Sequence, residues 1–242
     1  MKGVILAGGR GSRLEPLTEI TNKHLLPVGR EPMIWHSVRQ LLGCGIDEVM
    51  IITSTHHMGD VVNSLGSGRR FACQFTYRVQ DEAGGIAHAL ALTERFVAGD
   101  KVVVLLGDNI FEHSIKAHVD AFRGQPNGAR VLLKEVGDPE RFGIAALDEQ
   151  QVVSIEEKPT SPKSNYAVVG CYMYDNKVFD LIRDTRPSSR GELEITSVNN
   201  LYVKLGWLRY GFVVGRWTDA GTFESLVEAN QLMLGTGNKI ID

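Results

Sequence analysis

Along the first half of the chain, short apolar, β-branched runs alternate with stretches whose apolar residues recur at helical spacing. Strands are predicted at 3–7 (GVILA), 48–54 (EVMIITS), 75–80 (FTYRVQ) and 101–108 (KVVVLLGD), each beside polar or turn-forming residues. Between them, Pro32 can take the first position of a helix that carries Trp35, Val38 and Leu41 and stops at Gly43, and residues 85–96 (GIAHALALTERF) show the same periodicity. Such alternation implies parallel strands linked by crossover helices, here a βαβαβαβ core. After about residue 128, RVLLKEV, FGIAALD and VVSIEEKP read as strands, the last two joined by a DEQQ turn, and YAVVGCYMY follows as another, so antiparallel pairing enters the sheet. Helices at 176–184 and 194–205, a strand at 208–214 and a helix at 222–234 complete an α/β fold with a mixed, mainly parallel sheet. Gly and Pro clusters are turn-sized, so residues 1–242 read as one domain, about 1–125 carrying nucleotide and about 126–242 adding a second substrate.

Composition narrows the function classes. With 43% hydrophobic and 23% charged residues and a formal net charge of -3, no basic excess or basic stripe with interleaved aromatics marks a nucleic-acid partner. Cys44, Cys73 and Cys171 are odd in number and far apart, which fits neither a zinc pattern nor a disulfide framework. The apolar run Val4 to Ala7 is too short for a signal segment, and no stretch is long enough to span a membrane, so a cytoplasmic protein is expected.

The loop GVILAGGRGSRL follows a strand, at the carboxyl end of the sheet where open α/β folds place ligands. Gly9 and Gly11 give GxG, but Leu14 replaces the third glycine of a dinucleotide loop, Pro16 and Pro27 prevent the immediate helix, and no Walker GK[ST] is present. A plain turn is one reading; the other is a triphosphate held by loop amides with Arg10, Arg13 and Lys23 around it. Asp108, delivered by the apolar run Val102 to Leu106, is either a cap or a Mg²⁺ ligand, and Asp219 in RWTDAGT stands at a second strand-to-helix turn, so the two could share one metal. EEKP at 156–159 is a solvated hairpin end by itself; beside DPERFG and SNYAVVG it could converge on a polar ligand.

KGVILAGGRGSRL, NKHLLPV, LLGDN, DPERFG, EEKP, PKSNYAV, RGELEIT and WTDAGT, in this order, resemble the sugar nucleotidyltransferases, in particular their glucose-1-phosphate thymidylyltransferase branch. The resemblance implies a Rossmann-like three-layer α/β/α fold, Mg²⁺ as cofactor, and transfer of dTMP from dTTP, or UMP from UTP, to glucose 1-phosphate with release of pyrophosphate. It implies that Leu6, Gly8, Gly9, Gly11, Ser12, Arg13, Gln80, Gly85 and Asp108 bind nucleotide, with Arg13, Lys23 and Asp108 catalytic and Asp108 and Asp219 on the metal. Asn109, Gly143, Glu157, Lys158 and Val168 would bind the sugar phosphate, and a homo-oligomer, dimer or tetramer, is expected. Within that pattern Ser12 replaces threonine, Phe142 replaces tyrosine and His24 replaces glutamine. The chain also ends soon after 222–234, from which absence of a C-terminal regulatory extension is expected. The alternatives are another hexose 1-phosphate, a non-catalytic nucleotide-sugar sensor and an NAD(P)-linked oxidoreductase.

Overall fold

The computed structural model describes residues 1–235. The first half contains β1 (Lys2–Ala7), β2 (Pro27–Val28), β3 (Glu31–Pro32), α1 (Met33–Gly43), β4 (Glu48–Thr53), α2 (Met58–Leu65), β5 (Gln74–Val79), α3 (Ile86–Ala91), α4 (Glu94–Val97), β6 (Val102–Leu106), β7 (Asn109–Phe111) and α5 (Lys116–Gly124). The second contains β8 (Ala129–Glu135), β9 (Gly143–Asp148), β10 (Gln151–Glu157), β11 (Tyr166–Tyr174), α6 (Val178–Arg183), α7 (Ile195–Lys204), β12 (Leu208–Phe212), β13 (Trp217–Asp219) and α8 (Phe223–Gly235). One sheet runs β10-β9-β11-β6-β1-β4-β5, with β8 also paired to β11 and β12 paired to β8. β1 is parallel to β4 and β6, and β11 reverses the direction against β6, β8 and β9.

The period of two in the strands builds the layers. Val4, Leu6, Met50, Ile52, Val102 and Val104 point to one face, against Ala87, Leu90, Phe179 and Val198 of the helices there. Ile5, Ala7, Val49, Ile51, Val103 and Leu105 point to the other, against Ile34, Val38, Val61 and Val119. The result is the expected α/β/α sandwich with both faces of the parallel strands covered. A third cluster joins Leu14 and Leu26 of the glycine loop and its return to Ala229 and Leu232 of α8, so the loop is anchored by apolar burial.

Three departures from the predicted elements bear on how the site is built. Residues 85–96 form two helices, because buried Thr93 turns both its amide and its hydroxyl to the Leu90 carbonyl and ends α3. Pro32 precedes α1 with extended backbone and pairs with Pro27 in the β2-β3 ribbon, so the helix begins at Met33. β7 and β13 form a two-stranded ribbon that carries Asn109 opposite Asp219; strands of three residues have no readable period.

β11 loses its register between Val168 and Tyr172. There the Gly170 amide donates to Asn109 Oδ1 at 2.8 Å, and a Cβ on Gly170 would lie 2.6 Å from the Asn109 amide atoms. Gly170→Ala is therefore expected to destabilise the protein by about 1–3 kcal/mol through overpacking, read as a lowered urea midpoint; a midpoint equal to wild type would show that this approach is not constrained.

Candidate active site

The glycine loop is shaped around a lysine. Gly11 has φ +70°, and a Cβ there would lie 2.9 Å from Lys23 Cβ; one on Gly9 would lie 3.3 Å from Lys23 Cε. The bare loop thus lets the Lys23 stem cross it, and Nζ reaches Asp108 Oδ2 at 2.5 Å. Both side chains are mostly buried, at 13% and 14% exposed. Burial by itself raises the Asp108 carboxyl, but Lys23, His24 and the bonds from Lys23 and Asn109 outweigh it and hold the group well below the usual carboxylate range.

Asn109 fixes the other oxygen. Its Nδ2 donates to Asp108 Oδ1 at 3.0 Å, while its Oδ1 accepts from Gly170 and from Trp217 Nε1, each at 2.8 Å. Across the β7-β13 ribbon, Asp219 accepts from Arg141 Nη2 at 3.1 Å. Burial, reinforced by the Asp108 charge, pushes the Asp219 carboxyl up to about 6 against the opposing pull of Arg141, Arg13 and Lys23. The two carboxylates are close enough to repel, and their environments drive them apart.

Two clefts meet at Asp108 and Lys23. The smaller, of about 240 Å³, is lined by Leu6, Gly8, Gly9, Lys23, His24, Gln80, Gly85 and Asp108, among others. Gln80 hangs from the end of β5, its amide nitrogen on the Gly85 carbonyl and His88 Nδ1, both at 3.2 Å. Gly85, with φ +93°, passes so close to residues 192–193 that a Cβ would lie 2.6 Å from the Leu193 carbonyl oxygen. His24 is buried beside Gly107. The Asn22 amide donates to Ala7 O and so turns its oxygen to the His24 backbone amide and Nδ1, at 2.9 and 2.7 Å. Nδ1 therefore carries the proton, and Nε2 is an acceptor on a side chain lining the cleft. Burial, aided by Lys23 and opposed by Asp108, lowers His24 to about 3, so the ring is neutral.

The larger cleft, of about 690 Å³, contains Arg13, Lys23, Asp108, Asn109, Gly143, Glu157, Lys158, Val168 and Asp219 in its lining. Gly143 and Glu157 are opposite each other on β9 and β10. Glu157 accepts from Thr196 Oγ1 at 2.5 Å and from Arg190 at 3.4 Å. Lys158 sits just past β10 at φ +46°, tied back by its amide to the Phe142 carbonyl. Phe142 lines this cleft with its ring edge-on to Trp217 and under the Arg141 guanidinium.

The family model described as nucleotidyl transferase matches residues 2–235. The chain belongs to the nucleotidyl transferase family. A glucose-1-phosphate thymidylyltransferase of Neisseria meningitidis is 42% identical over 95% of this chain and 81% of its own length. A Bacillus anthracis protein crystallised with sucrose is 59% identical, with a TM-score of 0.94 over 97% of this chain and 95% of its own. A UDP-glucose pyrophosphorylase crystallised with UDP-glucose has a TM-score of 0.83 over 95% of this chain and 97% of its own, at 24% identity, and shares the fold.

In this nucleotidyl transferase the residues singled out from sequence fall mostly on the two clefts, with exceptions. Gly11 and Ser12 line neither, Gly11 serving as the bed for Lys23 and Ser12 opening an exposed turn; Arg10 is exposed and outside both. Arg141, Thr196, Glu192, Glu194 and Trp217 line the larger cleft without having been read as site residues, although each lies in a quoted motif.

Asp219 carries a stability cost whose sign follows from its environment. A carboxyl raised from 3.8 to about 6 costs nothing below pH 3.8, more as pH rises through that window, and its full amount above it. Two pKa units correspond to about 3 kcal/mol. Without divalent cation, Asp219→Asn is expected to be more stable than wild type at pH 7.5 by on the order of 1–3 kcal/mol, the difference closing toward pH 4, as measured by urea unfolding. Equal stability at pH 7.5 would contradict the assignment.

Proposed function

We propose that this protein transfers dTMP from dTTP to glucose 1-phosphate, forming dTDP-glucose and releasing pyrophosphate. The observation that carries the reading is that two clefts of unequal size share Lys23, Asp108, Ile86, Leu106 and Glu192 in their linings, so two ligands would meet beside the Lys23–Asp108 ion pair. The thymidylyltransferase relative supports the same substrates. The reading assigns the smaller cleft and roughly the first 125 residues to nucleotide, and the larger to the sugar phosphate; it includes a cytoplasmic homo-oligomer, dimer or tetramer, on resemblance alone. No helix among the described residues is long and apolar enough to cross a membrane.

Asp108 and Asp219 fit a Mg²⁺ ion. That cation takes one or two carboxylates and fills its remaining positions with phosphate oxygens and water, and among the described residues no cluster of three or more His, Cys, Asp or Glu could hold an ion unaided. The larger cleft also has six acidic and four basic side chains in its lining, a poor host for phosphate groups without added positive charge. When bound, Mg²⁺ supplies charge neutralisation at the α-phosphate and makes the phosphorus more electrophilic.

The chain itself supplies positioning. The amides of Gly8, Gly9 and Gly11 and the Arg13 guanidinium hold the triphosphate, and Lys23 stands beside the charge that develops during transfer. Gln80 presents its amide to the pyrimidine edge, with Leu6 and Gly85 closing on base and sugar. Lys158 binds the phosphate of the acceptor, while Glu157, Gly143 and Val168 border its ring, Glu157 being oriented by Thr196. Asn109, fixed at its oxygen by Gly170 and Trp217, donates from Nδ2 to Asp108 and so aims it. A phosphate oxygen of the sugar phosphate then attacks the α-phosphorus opposite the departing pyrophosphate, and no protein nucleophile takes part.

Pyrophosphate release should require Mg²⁺ and both substrates, and be greatest for dTTP with glucose 1-phosphate across a grid of dTTP, UTP, CTP, ATP and GTP against glucose 1-phosphate and galactose 1-phosphate. Silence across the grid from folded protein would point to a nucleotide-sugar sensor, and release without sugar phosphate to a hydrolase. Asp108→Asn should lower kcat by roughly 10²–10³. Lys158→Ala should raise the KM for glucose 1-phosphate about tenfold or more and leave that for dTTP nearly unchanged; an unchanged KM for glucose 1-phosphate would remove Lys158 from the acceptor site.

A further inference from the structure

Both carboxylates assigned to Mg²⁺ are already engaged by basic side chains of the protein. Lys23 Nζ is on Asp108 Oδ2 at 2.5 Å, and Arg141 Nη2 is on Asp219 Oδ1 at 3.1 Å. Arg13 is close as well, since a Cβ on Gly221 would stand 2.9 Å from its Nη2 and 3.6 Å from Asp219 Oδ2. Arg141 does not depend on Asp219 for its place. Its Nη1 donates to Asp138 Oδ2 at 2.6 Å, and its guanidinium lies over the Phe142 ring at 5.2 Å. Nη2 can change partner while these two contacts keep the group in the cleft.

We propose that Lys23 and Arg141 are exchangeable counter-ions, which a divalent cation displaces from Asp108 and Asp219 and which then turn to phosphate oxygens, so that cation and triphosphate are held tightly only together. The proposal rests on the metal-site reading above. A divalent cation arriving alone must break two ion pairs and leave an ammonium and a guanidinium beside its own charge, uncompensated in a partly buried site. With a triphosphate present, both groups find charge-assisted hydrogen bonds at once. Linkage then requires that the factor by which nucleotide tightens the cation equals the factor by which the cation tightens nucleotide. Arg141 becomes a positioning residue, holding the second carboxylate ready and then passing to a phosphate.

Calorimetry at pH 7.5 tests this with Mn²⁺ alone, α,β-methylene-dTTP alone and the two together, on wild type, Lys23→Met, Arg141→Gln and Asp219→Asn. Wild type should bind Mn²⁺ alone weakly and about 100-fold more tightly with the nucleotide analogue, within the usual range of coupling between sites. Removing a competitor should tighten Mn²⁺ alone, by roughly tenfold in Lys23→Met and by up to about fivefold in the more exposed Arg141→Gln, while the coupling factor shrinks in both. Unchanged or weaker binding of Mn²⁺ alone in both variants overturns the exchange. Asp219→Asn separates the two levels. If it loses the nucleotide-dependent Mn²⁺ binding while the other variants fail as described, the metal site stands and the exchange falls; if it binds Mn²⁺ like wild type, the metal-site reading fails and takes the exchange with it.

Discussion

The contact between Lys23 and Asp108 organises this protein. A strand that runs through the middle of a covered sheet ends in a buried carboxylate, and such a group persists only with a cation and further hydrogen bonds around it. The cation comes from the other side of a glycine loop, which is why Gly9 and Gly11 leave the Lys23 stem a path. The hydrogen bond comes from Asn109, which in turn needs the irregular segment of β11 and the bare Cα of Gly170. Trp217 closes the ring from the β7-β13 ribbon and brings Asp219 with it. One electrostatic requirement thus ties together the loop after β1, the end of β6, the middle of β11 and the ribbon before α8.

The same arrangement separates the roles of two nearby aspartates. Asp108, paired and hydrogen-bonded, stays ionised, whereas burial beside a second negative charge works against ionisation of Asp219. That cost in stability accompanies the pair of carboxylates which, on the reading proposed above, would hold a divalent cation. His24 adds a neutral ring among these charges, its tautomer set by Asn22. The Phe142 ring packs against Trp217 and Arg141 and so supports the ribbon.

What was legible in the sequence follows from how local each signal is. The strands of the parallel core are short apolar runs with clean turn boundaries, continuously buried in β1, β4 and β6, so 3–7, 48–54, 75–80 and 101–108 are readable within one or two residues. α2 and α5 bury only Val61 and Leu65, and Val119 and Phe122, too few apolar positions to set a helical period. The break at Thr93 depends on a side-chain bond that no periodicity reports. At the site, glycines and aspartates at strand ends gave themselves away by position, while Arg141 and Thr196 gain meaning only through partners far along the chain, Asp219 and Glu157. Long-range pairing, and the support that Gly11 gives the Lys23 stem, required the folded chain.

The central claim is a single in-line displacement at the α-phosphorus, arranged by charges around Lys23 and Asp108 and using no protein nucleophile. Stereochemistry tests it most directly: one diastereomer of dTTP carrying sulfur on the α-phosphorus is turned over with glucose 1-phosphate, and the configuration of the product is read by phosphorus NMR. Inversion is the result this account predicts. Retention would mean two displacements through a covalent enzyme intermediate, and would contradict it.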